Sequence, residues 1–379
     1  MIYFDNAATS FPKPDSVLNK LDVINRSLAV NAGRGSYSLA HNANEIIKET
    51  RCRVAKLAGT TDDRVIFYPS NTFAMNGIIN GLKWDEHKIV YVSPFEHNAV
   101  MRPLFLKEKQ CNCTIKLLPF NSDGSLQADE MSRLFSKDSP DYIFISHASN
   151  VTGTILPIEE ISILAKQYKP LIILDVAQTF GAMDVKHDSQ FVDFLVFAGH
   201  KSLMGPLGIG GFINLKNYEL DLAFAGGTGS DSLNLDMSYG TSLRFEIGSP
   251  NIVAIAGLNE GIKWIENIGI ENISEHKQSL IMALVEGVRE KRGCHICLNN
   301  ASNYKLGVIS FMVDGYESHD VGDILNDEFD IAVRTGYHCA PLIHNLIESK
   351  EYGGTIRVSV GYFNTLEEIQ KLIIALRSL

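Results

Sequence analysis

The chain has 379 residues, 45% hydrophobic and 21% charged, the balance of an ordinary globular protein. Its formal charge of −10, with Lys and Arg dispersed, argues against nucleic acid or an anionic membrane surface as the main partner. No apolar run approaches the ~18 residues of a membrane span. Met1-Ile2-Tyr3-Phe4-Asp5 lacks the basic-then-apolar pattern of a secretion signal, so a cytoplasmic location is expected.

From about residue 60 onward, short apolar runs alternate with helical periodicity. Strands are predicted over Val65–Tyr68, Ile89–Val92, Ile115–Leu118, Tyr142–Ser146, Ile172–Asp175, Phe194–Ala198 and Ile209–Asn214. Helical stretches such as Leu126–Phe135 and Ile158–Tyr168 lie between them. Strands apolar on both sides, with helices between, predict an α/β fold with a mostly parallel sheet covered on both faces. Ser249-Pro250-Asn251 is expected to open a long, interrupted helical segment from about Ile252 to Lys291, with Ser249 as cap and Pro250 in the first turn. Strand-like segments at Cys294–Leu298, Leu306–Met312 and Thr355–Val360 follow, with helical ones at Val321–Phe329 and Leu366–Leu379. The change of pattern predicts a large domain over 15–250 and a smaller α+β domain over 251–379 that also takes in residues 1–14.

The six cysteines are expected to be free thiols. Cys294-His295-Ile296-Cys297 has metal or redox spacing. In a strand, however, residues three apart face opposite ways, and no second ligand pair follows, so buried structural thiols are expected and no metal site.

Chemistry concentrates where apolar runs end. Asp175 closes Leu171-Ile172-Ile173-Leu174-Asp175, and Lys201 follows Phe197-Ala198-Gly199-His200. A carboxylate and a lysine at the ends of successive core strands suit pyridoxal 5′-phosphate. The lysine can bond to its aldehyde and the carboxylate can keep its ring nitrogen protonated. The glycines of Gly199 to Gly211 do not fit a dinucleotide fingerprint, because a strand follows them. They would let the backbone bend tightly and approach a ligand. Ser70-Asn71-Thr72, ahead of an apolar helix, reads either as a phosphate site or as a plain helix cap. His97 after one strand and Asn150 after another read either as ligand contacts or as loop residues.

Several motifs together carry a resemblance: Glu96-His97, Ser149-Asn150-Val151-Thr152-Gly153-Thr154, Leu174-Asp175-Val176-Ala177-Gln178, Gly199-His200-Lys201, Arg244 to Asn251, and Arg334-Thr335-Gly336-Tyr337-His338-Cys339-Ala340. Over nearly its whole length, from Tyr3-Phe4-Asp5-Asn6-Ala7-Ala8-Thr9 onward, the chain resembles the cysteine desulfurase and selenocysteine lyase branch of the class V aminotransferases. The resemblance implies the pyridoxal-phosphate fold of type I (aspartate aminotransferase-like), with a seven-stranded sheet. It implies that Lys201 bonds to the cofactor and shuttles protons, that Asp175 pairs with the ring nitrogen, and that Gln178 bonds the ring hydroxyl. His97 would stack on the ring and Asn150 would lie at its edge. Asn71, Thr72 and His200 would bind the phosphate, with Ser249 and Arg34 lent by a second subunit of a homodimer. Arg357 would clamp the substrate carboxylate, with Arg334 nearby. Cys339 would take the sulfur of L-cysteine as a persulfide, helped by positive charge from Arg334 and His338, and pass it to an acceptor protein. Selenocysteine lyase, β-elimination from cysteine or cystine, and transamination are the alternatives within the same chemistry.

Three residues depart from the family pattern. Asn71 stands where a small hydroxyl residue is usual, Ala198 where serine or threonine is common, and Tyr337 where histidine is best known.

Overall fold

A computed structural model describes residues 1–32, 35–84, 87–228, 233, 235–237, 242–298 and 301–379, with 242, 243 and 301–303 in backbone only. Arg34 lies outside the described residues. In chain order the strands are β1 (Ile2–Tyr3), β2 (Val65–Tyr68), β3 (Lys88–Val92), β4 (Cys113–Leu117), β5 (Tyr142–Ser146), β6 (Leu171–Asp175), β7 (Phe194–Ala198), β8 (Gly210–Asn214), β9 (Cys294–Ile296), β10 (Val308–Val313), β11 (Ile331–Ala332), β12 (Arg334–Gly336) and β13 (Thr355–Ser359). The helices used below are α1 (Asp15–Ser27), α2 (Ser38–Ala58), α3 (Asn71–Gly81), α4 (Asn98–Gln110), α5 (Ala128–Lys137), α6 (Ile158–Ala165), α7 (Ile252–Ile268), α8 (Ile270–Arg289), α9 (Ser318–Phe329), α10 (Ile343–Leu346) and α11 (Leu366–Ser378).

The seven apolar runs form one sheet in the order β2-β8-β7-β6-β5-β3-β4. All neighbours are parallel except around β8, which opposes both β2 and β7. Alternate residues of each strand enter opposite cores. Phe67, Tyr91, Ile145, Leu174 and Phe197 pack on one face, and Ile66, Val92, Phe144, Ile173 and Val196 on the other. That two-sided burial is why the strands read as continuous apolar runs. β8 reverses because the glycine-rich segment turns straight back from β7. A Cβ on Gly211 would lie 2.1 Å from the Ile66 carbonyl oxygen, and one on Gly210 2.8 Å from the Asn71 nitrogen. These glycines therefore serve close backbone packing of β8 and the start of α3.

The second sheet is antiparallel, in the order β12-β13-β10-β9, and α8, α9 and α11 supply its core with Phe311, Ile356 and Val358. Arg334 on β12 pairs in register with Arg357 on β13. The N-terminal strand β1 pairs with β11 and Asp5 bridges to Ser359, while Ser10 and Lys13 donate to the carbonyls of Lys201 and His200. α7 packs across α1 and α2. Its cap is not Ser249 as the Ser-Pro pattern predicts. Asn251 accepts the Ala254 N–H at 3.1 Å, leaving Pro250 just outside the helix.

Candidate active site

The strands β2, β3, β5, β6 and β7 all end at one edge of the large sheet, where ligands of such sheets bind. The loops beyond those ends meet the second sheet around a cavity of about 290 Å³. Asn71, Thr72, His97, Asn150, Asp175, Gln178, His200, Lys201, Arg334, Cys339 and Arg357 all line it. Of the expected site residues with described side chains, only Ser249 is elsewhere. It is exposed and receives a hydrogen bond from Asn31 Nδ2 at 3.3 Å.

Asp175 ends β6 and is almost fully buried. Its Oδ1 accepts the Ala177 N–H at 2.9 Å and the Asn71 Nδ2–H at 2.8 Å. Burial pushes its carboxyl upward, while the Ala177 N–H, the Lys201 charge and the Asn71 amide oppose that shift. Lys201 follows β7, the parallel neighbour of β6, at the same sheet edge. Burial presses its amine down to about 8, against the pull of Asp175. His97 caps α4, its Nδ1 accepting the Ala99 N–H at 2.9 Å. Burial first, then the charges of Lys201, Arg334, Arg357 and Arg102, hold it down to about 4, so its ring is neutral. His200 is likewise held to about 4 by burial and by Lys201 and Lys13.

The residues of Ser70-Asn71-Thr72 take different places in the structure. Ser70 is the plain cap, accepting the Phe73 N–H at 3.3 Å. Thr72 lines the cavity, while Asn71 turns its amide onto Asp175. Gln178 donates to the Ala7 carbonyl at 3.1 Å, and Asn150 to the His338 carbonyl at 2.8 Å.

Arg357 is 1% exposed. One terminal nitrogen donates to the Asn150 carbonyl at 2.9 Å, and the other pairs with Asp5. Arg334 stands 3.7 Å from the Cys339 sulfur. Cys339 is exposed, and its loop turns through two successive left-handed residues, His338 (φ 48°) and Cys339 (φ 57°). His338 does not supply the positive charge expected beside the thiol. It is buried, its Nε2 bonds to Thr355 Oγ1 at 2.8 Å, and burial together with Arg357 holds it well below its ordinary range. A buried imidazole among cations stays neutral, so its ring is an anchor for the loop.

Sequence reading assigns no role to two carboxyls beside the site, Asp5, which is half-buried, and Glu96. Asp5 lies within the Tyr3-to-Thr9 motif, but only the pairing of chain ends places it on Arg357. Glu96 precedes His97, is wholly buried, accepts the Ser146 Oγ–H at 3.0 Å and is pushed up to about 8 by burial. By contrast, Arg244 and Glu246 of the Arg244-to-Asn251 motif make contacts away from the cavity, at the segment after β8 and at the edge strand β2. Arg244 donates to the Leu220 carbonyl, and Glu246 pairs with Arg51 at 2.6 Å. Cys297 is buried, and burial pushes its thiol up to about 12, the chemistry of an inert side chain.

The cavity has polar atoms in want of a ligand. Among the described residues, Asn71 Oδ1, Asn150 Oδ1, His200 Nδ1 and Arg357 Nε are buried there without a partner. Such groups are rare in folded proteins unless something polar meets them. Donors, a buried carboxyl, a lysine and a flat neutral imidazole around one cavity fit a phosphorylated pyridine aldehyde.

The family profile described as aminotransferase class-V matches residues 2–372. The chain is 31% identical to a probable cysteine desulfurase of Pyrococcus abyssi, over 100% of this chain and 94% of that one. It is 30% identical to a cysteine desulfurase of Shigella sonnei, over 100% and 93%. The apo structure of a cysteine desulfurase from Thermococcus onnurineus superposes with a TM-score of 0.89 at 28% identity, covering 100% of this chain and 94% of that chain.

Proposed function

The chain belongs to the class V aminotransferase family, and from that premise we propose a pyridoxal-phosphate-dependent cysteine desulfurase that converts L-cysteine to L-alanine and keeps the sulfur on Cys339. The observation that carries this reading is that Cys339 and Lys201 open onto one cavity, with Arg334 3.7 Å from the sulfur.

Lys201, Asp175, His97, Gln178, Asn150, Thr72 and His200 would hold the cofactor. When bound, it supplies an electron sink for negative charge at the substrate Cα. Lys201 moves the proton between Cα and the cofactor side of the pocket, and an amine held near 8 is suited to both taking and giving it. Arg357 binds the substrate carboxylate through its planar fork, with Asp5 holding the guanidinium in place. His97, being neutral, offers a flat face without adding charge. Arg334 donates towards the Cys339 sulfur, whose reactive form is the thiolate. That sulfur attacks the substrate sulfur. An S–S bond forms as the carbon–sulfur bond breaks, and the electron pair of the broken bond stays with carbon, which is protonated to alanine. The persulfide left on the exposed Cys339 is accessible to an acceptor protein. In a homodimer, Ser249 and Arg34 would complete the phosphate end from the partner.

Incubation with L-cysteine and, separately, L-selenocysteine tests the reading. Alanine formed in step with enzyme-bound persulfide is expected. Pyruvate and ammonia would replace the reading with β-elimination, a 2-oxo acid requirement with transamination, and turnover confined to selenocysteine with a selenium-specific lyase. Cys339→Ala should keep the visible absorbance of bound cofactor and lose alanine formation.

A further inference from the structure

Asn71 occupies the first residue of α3, yet the cap of that helix is already supplied by Ser70. Its side chain is 9% exposed. The amide points at Asp175, donating from Nδ2 to Oδ1 at 2.8 Å, while Oδ1 also receives the Ala177 N–H at 2.9 Å. Among the described residues no donor reaches Oδ2 of Asp175. The backbone of Asn71 lies flush on β8, where Gly210 leaves room for it, so the amide is built into the sheet edge. Its own Oδ1 is buried without a partner, an arrangement that costs stability and gives a folding role nothing.

We infer that Asn71 is a positioning residue for Asp175, holding Oδ1 so that Oδ2 is the oxygen presented to the ring nitrogen of the cofactor. The inference rests on the cofactor reading above. It moves Asn71 away from the phosphate end of the site, where a residue at this place would otherwise be set. The physical basis is that two donors on one carboxylate oxygen favour the anion and remove its freedom to rotate. An anion fixed in this way keeps the pyridine nitrogen protonated, and a protonated ring withdraws electrons from the bond between Lys201 and the cofactor.

The test uses the full chain with pyridoxal phosphate bound, comparing the wild type with Asn71→Ala and Asn71→Leu. Leucine keeps the branched shape of asparagine, at a larger volume and without its donor, so an effect shared by both variants reports the lost hydrogen bond and not lost packing. Circular dichroism and thermal unfolding without cofactor check the fold. Two readouts are expected to change together. The dissociation constant for pyridoxal phosphate should rise roughly tenfold, the size of one hydrogen bond to a charged group. The pH titration of the visible absorbance of the lysine-bound cofactor should move to more alkaline pH, because a less firmly protonated ring withdraws less. Weaker binding with an unmoved titration would overturn the inference in favour of a phosphate contact, and wild-type values for both would overturn it outright. If the wild-type protein itself gave no visible band with pyridoxal phosphate, the cofactor reading would fail first.

Discussion

The two walls of the cavity are built on different logic. One wall is the edge of the large sheet, where Asp175 and Lys201 follow buried parallel strands, with His97 and Asn71 at helix starts beyond other strands. The other wall is the antiparallel sheet, where Arg357 and Arg334 face each other across β13 and β12 and the Cys339 loop follows β12. Like charges opposite one another destabilise a strand pair. The fold answers that by setting Asp5 on Arg357 and the Cys339 sulfur beside Arg334. On the sheet-edge wall burial perturbs the titrating groups. On the arginine wall burial is again the larger cause, and the positive charges of Arg357 and Arg334 add to it in holding His338 neutral. A site divided this way keeps the electron-withdrawing chemistry on a rigid edge and substrate capture and sulfur transfer on a cationic face.

The comparison can be broken at the sheet edge first. Lys201→Ala should lower turnover by roughly 10³-fold or more and abolish borohydride trapping of the cofactor; near-normal turnover would refute the assignment. In the wild type, only the neutral amine attacks the cofactor aldehyde. With Lys201 held near 8, the rate at which the visible band appears should rise with pH up to about 8 and then level, where an ordinary lysine would keep rising towards 10.5. On the arginine wall, Arg357→Ala should reduce kcat/KM for L-cysteine by roughly 10- to 100-fold, chiefly through KM, with the cofactor spectrum unchanged. An effect on kcat alone would contradict carboxylate binding.

Asp5→Asn tests whether the cationic wall needs its counter-charge. Arg357 is buried while the side chain of Asp5 is 21% exposed, so a loss of about 2–3 kcal/mol in denaturant unfolding is expected, below the full cost of breaking a wholly buried pair. The smallest effect separates the two neighbours of Cys339. Arg334→Gln should slow alkylation of Cys339 several-fold, whereas His338→Gln should leave the rate near wild type, since the imidazole carries no charge to lose. Equal slowing in both would restore a charge role to His338.

Legibility followed the same division. Asp175 and Lys201 were visible because each terminates an apolar run, and a run buried on both faces is a local pattern. The family motif marked Cys339 and Arg334. The hydrogen bond from Asn71 to Asp175 was not visible, because it joins residues from β6 and α3 that come together only when β8 folds back between β2 and β7. Nor was the pairing of Asp5 with Arg357, which depends on β1 joining β11 across almost the whole chain. The neutral state of His338 could not be read locally either, since burial and the charge of Arg357 come from other segments. Nor could the helix cap be assigned to Asn251 over Ser249, a choice between neighbours two residues apart that backbone geometry makes.

By itself, the sequence determined the strand and helix periods, the mostly parallel sheet, and the carboxylate and lysine at strand ends, because these depend on hydrophobic spacing and on which residue closes each run. Only the tertiary structure decided which donors hold Asp175, which carboxyl faces each arginine and which imidazole stays uncharged. Hydrogen bonding and electrostatics act through distance and burial, and both are set by segments far apart in the chain.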